Sequence, residues 1–145
     1  MRLVTPLEMM KLEDLTNQSG VSYDSMMDQA GSGLAVHIAR AALEQGKNSI
    51  VFLCGNGNNA GDCFVAAAKL AKQFNVTVCM TAGSPKTRTA YTKYRQLKTV
   101  PLSMHRIRSA RRCAMHPSSW TVYSASASAG SFRRLSRSYV KSSMA

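Results

Sequence analysis

Along the first hundred residues the apolar positions follow two spacings, one helical and one extended. Thr5 to Gly20 reads as a helix. Thr5 is placed to cap it, Pro6 takes the first helical position, and Glu8 completes a capping box three residues after Thr5. Leu7, Met10 and Leu15 supply its apolar face and Gly20 closes it. A second helix is predicted from about Tyr23 to Glu44, stopping at Gly46. Its centre, Ala30-Gly31-Ser32-Gly33, is small for a helix interior, where each Gly costs about 1 kcal/mol against Ala. That cost implies close approach by another backbone or a ligand. Ser49 to Cys54 is a continuous apolar run, the pattern of a strand buried on both faces. A glycine-rich loop comes next, then a helical stretch from about Gly61 to Phe74. Asn75 to Met80 is a second strand, and a helix restarting at Ser84-Pro85 carries Tyr91, Tyr94 and Leu97. Strand, loop, helix, strand, helix begins a parallel α/β sheet, so the expected fold is Rossmann-like. It is a three-layer parallel sheet with flanking helices, incomplete in this chain.

After about Val100 this order dissolves. The chain has 145 residues and a formal net charge of +12, yet all seven acidic residues lie between Glu8 and Asp62. The last 45 residues hold eight basic side chains, seven of them Arg, and twelve Ser. Such a change of composition divides the chain into a domain over 1–104 and a basic Arg/Ser-rich tail over 105–145, expected to be disordered. Nucleic-acid binding through the tail would need aromatic or modular support. The tail offers only Trp120, Tyr123, Phe132 and Tyr139, so the composition argues against a nucleic-acid partner. No apolar run reaches the roughly 18 residues of a membrane span, and the N-terminus turns polar too early for a signal peptide. Cys54, Cys63, Cys79 and Cys113 form no CxxC pair, which reads as reduced thiols in a cytoplasmic protein.

The candidate chemistry sits in Gly55-Asn56-Gly57-Asn58-Asn59-Ala60-Gly61-Asp62-Cys63-Phe64, between a buried strand and a helix. Ligands of α/β sheets bind at that end of the strand. Glycines admit a phosphate to the backbone, and helix N-terminal amides favour anions. Asn58 and Asn59 add amide groups, and Asp62 is the loop's carboxylate. The phosphate loop of nucleotide hydrolases is excluded because the loop lacks Gly-Lys-Ser/Thr. Gly55-x-Gly57-x-x-Ala60 matches the dinucleotide fingerprint superficially, but no acidic residue stands further on to hold the ribose. A purely structural Asn/Gly turn is the remaining alternative. His37 reads as an ordinary helix residue, Tyr91 and Tyr94 as packing residues, and Met9, Met10, Met26 and Met27 as helix-packing residues.

Three elements, in order, resemble the NAD(P)HX epimerases, the YjeF N-terminal domain family. They are Val4-Thr5-Pro6-x-Glu8-Met9, Met26-Met27-Asp28-Gln29-Ala30-Gly31, and the loop from Gly55 through Asp62 to Ala67. The resemblance covers roughly residues 1 to 100. It departs at Ala60 and Cys63, where the family usually has Gly. It implies interconversion of the R and S epimers of NADHX and NADPHX, as repair of hydrated nicotinamide cofactors. It further implies that Asn58, Asn59, Ala60, Gly61 and Asp62 contact the substrate and that Asn59 helps ligate a potassium ion. No catalytic residue is assigned. The partners implied are a second copy, as a homodimer, and a dehydratase that consumes the S form. A non-catalytic nucleotide-binding or protein-interaction module is the alternative class.

The family's second site, an Asp followed by Phe-Gly-x-Gly after a later strand, is absent from the sequence as written. The genetic code suggests why. Trp120-Thr121 is encoded TGG-ACN, so the frame opening on the last base of the Trp codon reads GAC, an Asp. Continued through Gly130, that frame permits Asp-Gly-Val-Phe-Gly-Ile-Gly-Phe-Arg-Gly. The expectation is a frameshift between about residues 100 and 117, a tail translated out of frame, and weakened epimerase activity.

Overall fold

The computed structural model describes residues 4–97 in full, and the backbone of 103–106, 120–125 and 133–135. Four helices are described: α1 (Pro6–Gln18), α2 (Tyr23–Glu44), α3 (Asn58–Leu70) and α4 (Arg88–Leu97). Five strands accompany them: β1 (Ser49–Cys54), β2 (Asn75–Met80), β3 (Ser103–Arg106), β4 (Trp120–Ala125) and β5 (Arg133–Leu135). They form one sheet of order β3-β2-β1-β4-β5. The pairs β1–β2, β1–β4 and β2–β3 are parallel, and β4–β5 is antiparallel.

The strand pattern explains the core. Ile50, Phe52 and Cys54 stand opposite Val76, Val78 and Met80 in register, so one pleat face carries six apolar side chains. That face packs on Ala60, Cys63, Phe64, Ala67 and Leu70 of α3. Further out, α2 adds Ala35, Ile38 and Ala42, and α4 adds Leu97. Thus α3 lies on the sheet with α2 and α4 against it, and the helices that build this core share one face. Right-handed crossovers that advance in one direction place their helices on the same side.

Several expectations change. The expected three layers appear as two among the described residues, and the sheet is not wholly parallel because β5 runs against β4. The expected disorder of the tail does not hold at 120–125 and 133–135, which are strands. Trp, Thr, Val and Tyr are strong strand formers, and β4 aligns with the whole of β1 from Ser49↔Trp120 to Cys54↔Ala125. Cys54 and Cys63 are free and buried, but Cys79 is disulfide-bonded, against the reading of four reduced thiols; its partner lies outside the described residues.

The helix termini were legible. Thr5 caps α1: its hydroxyl accepts from the Glu8 amide, while its own amide donates to the Glu8 carboxylate at 2.6 Å. The expected burial of α1 fails, however. None of its residues is buried, and Leu7, Met10 and Leu15 are each about 60% exposed. Its apolar side chains point in all directions rather than along one stripe, so no single packing surface could take them. The packing role expected of Met9 and Met10 fails with it, whereas Met27 is buried.

Candidate functional site

The strand order reverses direction at β1: the chain moves to β2 and β3 on one side, then to β4 on the other. In open α/β sheets the crevice at such a switch point, outside the carboxyl ends of the strands, receives the ligand. The segment after Cys54 occupies that place. It is more helical than the sequence suggested. α3 starts at Asn58 rather than near Gly61, so Asn58, Asn59, Ala60, Gly61 and Asp62 form its first turn. Gly57 is the N-cap and makes no side-chain hydrogen bond, which leaves the first amides of α3 uncapped by a side chain.

Each residue of this turn has a distinct setting. Asn58 is exposed and Asn59 half-buried, and neither side chain is hydrogen-bonded among the described residues. Ala60 is buried in the core; because it is helical, its methyl meets no backbone conflict. Cys63 is fully buried. A hydrogen bond with Cys54, then burial, then the Cys54 and Asp62 charges hold its thiol well above the usual range. It is a packing residue, not a nucleophile. Gly61 is a close approach: a Cβ there would push aside the flexible end of Met27 and lie 3.3 Å from the Ala90 Cα. Gly31 is similar, since its Cβ would lie 2.5 Å from Val65 Cβ and 2.8 Å from the Asp62 carbonyl oxygen. The small centre of α2 therefore exists for backbone approach to α3. Gly33, in contrast, faces open space.

Asp62 is the chemically distinctive group. Its carboxylate has no hydrogen bond or ion pair among the described residues. Burial, with a further push from the Glu13 carboxylate of α1, raises its pKa to about 6. It can therefore hold a proton or release one near neutrality. The amide oxygen of Asn59 and the carboxylate of Asp62 are hard oxygen donors, the class an alkali cation prefers. The Asn59 oxygen fits part of a potassium shell, whereas Asp62, which can be protonated near neutrality, is left for proton transfer. The described residues hold no group of three His, Cys, Asp or Glu that would favour another metal.

The sequence reading missed an ionic clamp beside this turn. Lys93 of α4 is 3% exposed and donates to Asp24 and Asp28 of α2, both at 2.8 Å. Burial alone would lower its pKa, but the two carboxylates outweigh that and raise it. One signal was present: Lys93 falls between Ala90 and Leu97 at the spacing of an inward helix face, with two acids one turn apart on α2. A cavity of about 290 Å³ lies next to the clamp, lined by Asp28, Phe64, Val65, Lys93 and Leu97. It is farther along α3 than the first turn. Tyr94 packs its ring on Phe64 at 5.6 Å, as expected, while Tyr91 and His37 are exposed.

The segment after β2 is stitched to the same loop. Thr81 donates its amide and hydroxyl to the Cys54 carbonyl at 2.9 and 3.0 Å. Asn56 donates to the Ala82 carbonyl at 3.1 Å, and the Lys86 amide donates to the Asn56 carbonyl at 2.8 Å.

The chain is 40% identical over 76 residues to the bifunctional NAD(P)H-hydrate repair enzyme Nnr of Methanospirillum hungatei, covering 52% of this chain and 15% of that protein. It is 42% identical over 59 residues to the NAD(P)H-hydrate epimerase of Anopheles darlingi, covering 41% and 25%. It thus spans a quarter or less of the length of these curated relatives. The crystal structure of yeast ynu0, YNL200c, shares the fold with a TM-score of 0.62 at 23% identity, over 73% of this chain and 47% of that one. The family model for the YjeF-related protein N-terminus matches residues 23–122. With that match over more than half its length, the chain belongs to the YjeF-related protein N-terminus family.

Proposed function

We propose that this chain is an NAD(P)H-hydrate epimerase-type protein whose substrate lies over the first turn of α3. The observation that carries the reading is the position of Asn58–Asp62 at the switch point of the sheet, with a carboxylate that is unpaired among the described residues and has its pKa raised to about 6. Epimerising a hydrated nicotinamide ring requires the ring hydroxyl to leave as water, a ring cation to be held, and water to return to the other face. Asp62 in its acid form gives the proton, and in its ionised form it faces the cation. The uncapped amides of α3 favour the anionic phosphates. Asn59 would contribute an oxygen to a potassium ion, which would supply positive charge beside the substrate. NADHX and NADPHX are the proposed substrates. A dehydratase is the proposed functional partner, in keeping with the word bifunctional in the name of the Methanospirillum relative. A second copy of the chain is the proposed structural partner, and the cytoplasm the proposed location. Among the described residues no helix is long and apolar enough to cross a membrane.

The reading includes a loss. The domain proposed over 1–104 carries the α3 turn, and the Asp and Phe-Gly-x-Gly site that should face it is not encoded in this frame. Activity is therefore expected to be weak although the turn is intact. Separation of the R and S hydrates after incubation with the chain tests this. Slow, Asp62-dependent interconversion is expected; turnover as fast as that of a full-length relative contradicts the loss. The coding DNA tests the frame itself, because stop codons shortly after the shift would exclude it.

A further inference from the structure

A dinucleotide-binding sheet usually places an acidic residue after its second strand, where it holds the ribose 2′-hydroxyl, whereas an NADP site has an Arg nearby for the 2′-phosphate. This chain has no acidic residue after Asp62. Beyond β2 it carries Ser84-Pro85-Lys86-Thr87-Arg88 instead. We infer that Lys86, Thr87 and Arg88 form a recognition arm for the 2′-phosphate of an NADP-type dinucleotide, so that the site favours NADPHX over NADHX. The inference rests on the proposed nucleotide reading and specifies its substrate.

Four observations carry it. The arm is fixed against the ligand loop rather than swinging free: the Lys86 amide is bound to the Asn56 carbonyl, and Asn56 is bound in turn to Ala82. Gly83 turns the chain with φ +79°, and Pro85 is buried behind the arm. The first turns of α3 and α4 touch, since a Cβ on Gly61 would lie 3.3 Å from the Ala90 Cα, so a nucleotide over α3 lies beside residues 86–88. Lys86 and Arg88 are exposed and take part in no ion pair among the described residues. Finally, the Thr87 hydroxyl is shut off from solvent and has no hydrogen-bond partner among the described residues. A buried hydroxyl left unpaired costs free energy, and turning about χ1 toward a phosphate oxygen would satisfy it. Two cations and a hydroxyl match a dianionic monoester.

Calorimetric titration of the full chain with NADP+ and NAD+ tests the arm. The expected result is at least about tenfold tighter binding of NADP+. The Lys86→Ala/Arg88→Ala double variant should lose most of that ratio by weakening NADP+, while NAD+ affinity changes less than about threefold. Thr87→Val should reduce the ratio by a smaller factor, and Lys72→Ala, at an exposed lysine just beyond the C-terminal end of α3, should leave it unchanged. Equal affinity of the parent for the two nucleotides overturns the arm and leaves the nucleotide reading standing. An equal loss of both nucleotides in the double variant also overturns it, since that marks a general attraction for phosphate. Failure of the parent to bind either nucleotide overturns both readings. Unchanged circular dichroism of the double variant separates binding from folding.

Discussion

Helices α1 and α3 are each thirteen residues long, and they are held in opposite ways. α1 has complete local instructions: a capping Thr5, Pro6 in the first turn and a reciprocal Glu8. It nevertheless buries no residue. α3 has no side-chain cap and begins with two Asn, an Ala and a Gly, yet it buries eight residues. Capping satisfies amides and fixes where a helix starts. Burial fixes whether the helix matters to the fold. The candidate site resides on the second kind of helix, where packing holds the terminus and its amides and side chains stay available to a ligand.

The sharpest way to break that contrast is to spoil the packing under α3. Gly31→Val inserts a branched side chain where a Cβ alone would meet Val65 Cβ at 2.5 Å and the Asp62 carbonyl at 2.8 Å. The expected cost is about 3 kcal/mol, read as a lower thermal midpoint, because neither neighbour is the flexible end of a side chain. Lys93→Met comes next. It keeps volume but leaves Asp24 and Asp28 facing each other without a cation. Both are half in water, so the cost is expected at about 1–2 kcal/mol in denaturant unfolding rather than the full penalty of a buried charge.

Asp62→Asn sharpens the contrast in the other direction. The folded carboxyl titrates near 6 instead of its ordinary 3.8, so folding disfavours its ionised form. The folded state binds the proton more readily, so stability rises as pH falls from about 6 to about 4, and the cost is fully present above 6. Removing the charge should raise stability at pH 7 by about 1 kcal/mol once solvent screening is allowed for, and by nothing below pH 4. Urea titrations at pH 7 and pH 3.5 check the sign. A destabilised variant at pH 7 would mean that Asp62 is a structural group. Thr5→Ala is the smallest. It should fray α1, seen as faster amide exchange there, and move the global midpoint by only a few tenths of a kcal/mol. If it lowers the midpoint as much as Gly31→Val, the distinction between the two helices fails.

These elements show which features the sequence carried. Both ends of α2, and β1 and β2 entire, were legible because each is a periodic run with its own stop signal. The close approach at Gly31 was legible because glycine inside a helix has a cost that demands a reason. The exposure of α1 was not, because apolar content alone does not say whether a partner surface exists. The start of α3 was read three residues late, since Asn58 and Asn59 carry loop preferences that tertiary packing overrides. The Lys93 clamp joins residues 69 and 65 positions apart, and only the fold brings them together. The strands β4 and β5 were hidden by a composition that reads as tail.

The central claim is that the first turn of α3 holds a hydrated nicotinamide dinucleotide. Titration of NADPH hydrate into the parent chain and into the Asn59→Ala/Asp62→Asn double variant addresses it most directly. The account predicts saturable binding by the parent and at least about tenfold weaker binding by the variant, with the variant no less stable at pH 7. Equal affinity in the two proteins, or no saturable binding by the parent, would contradict it.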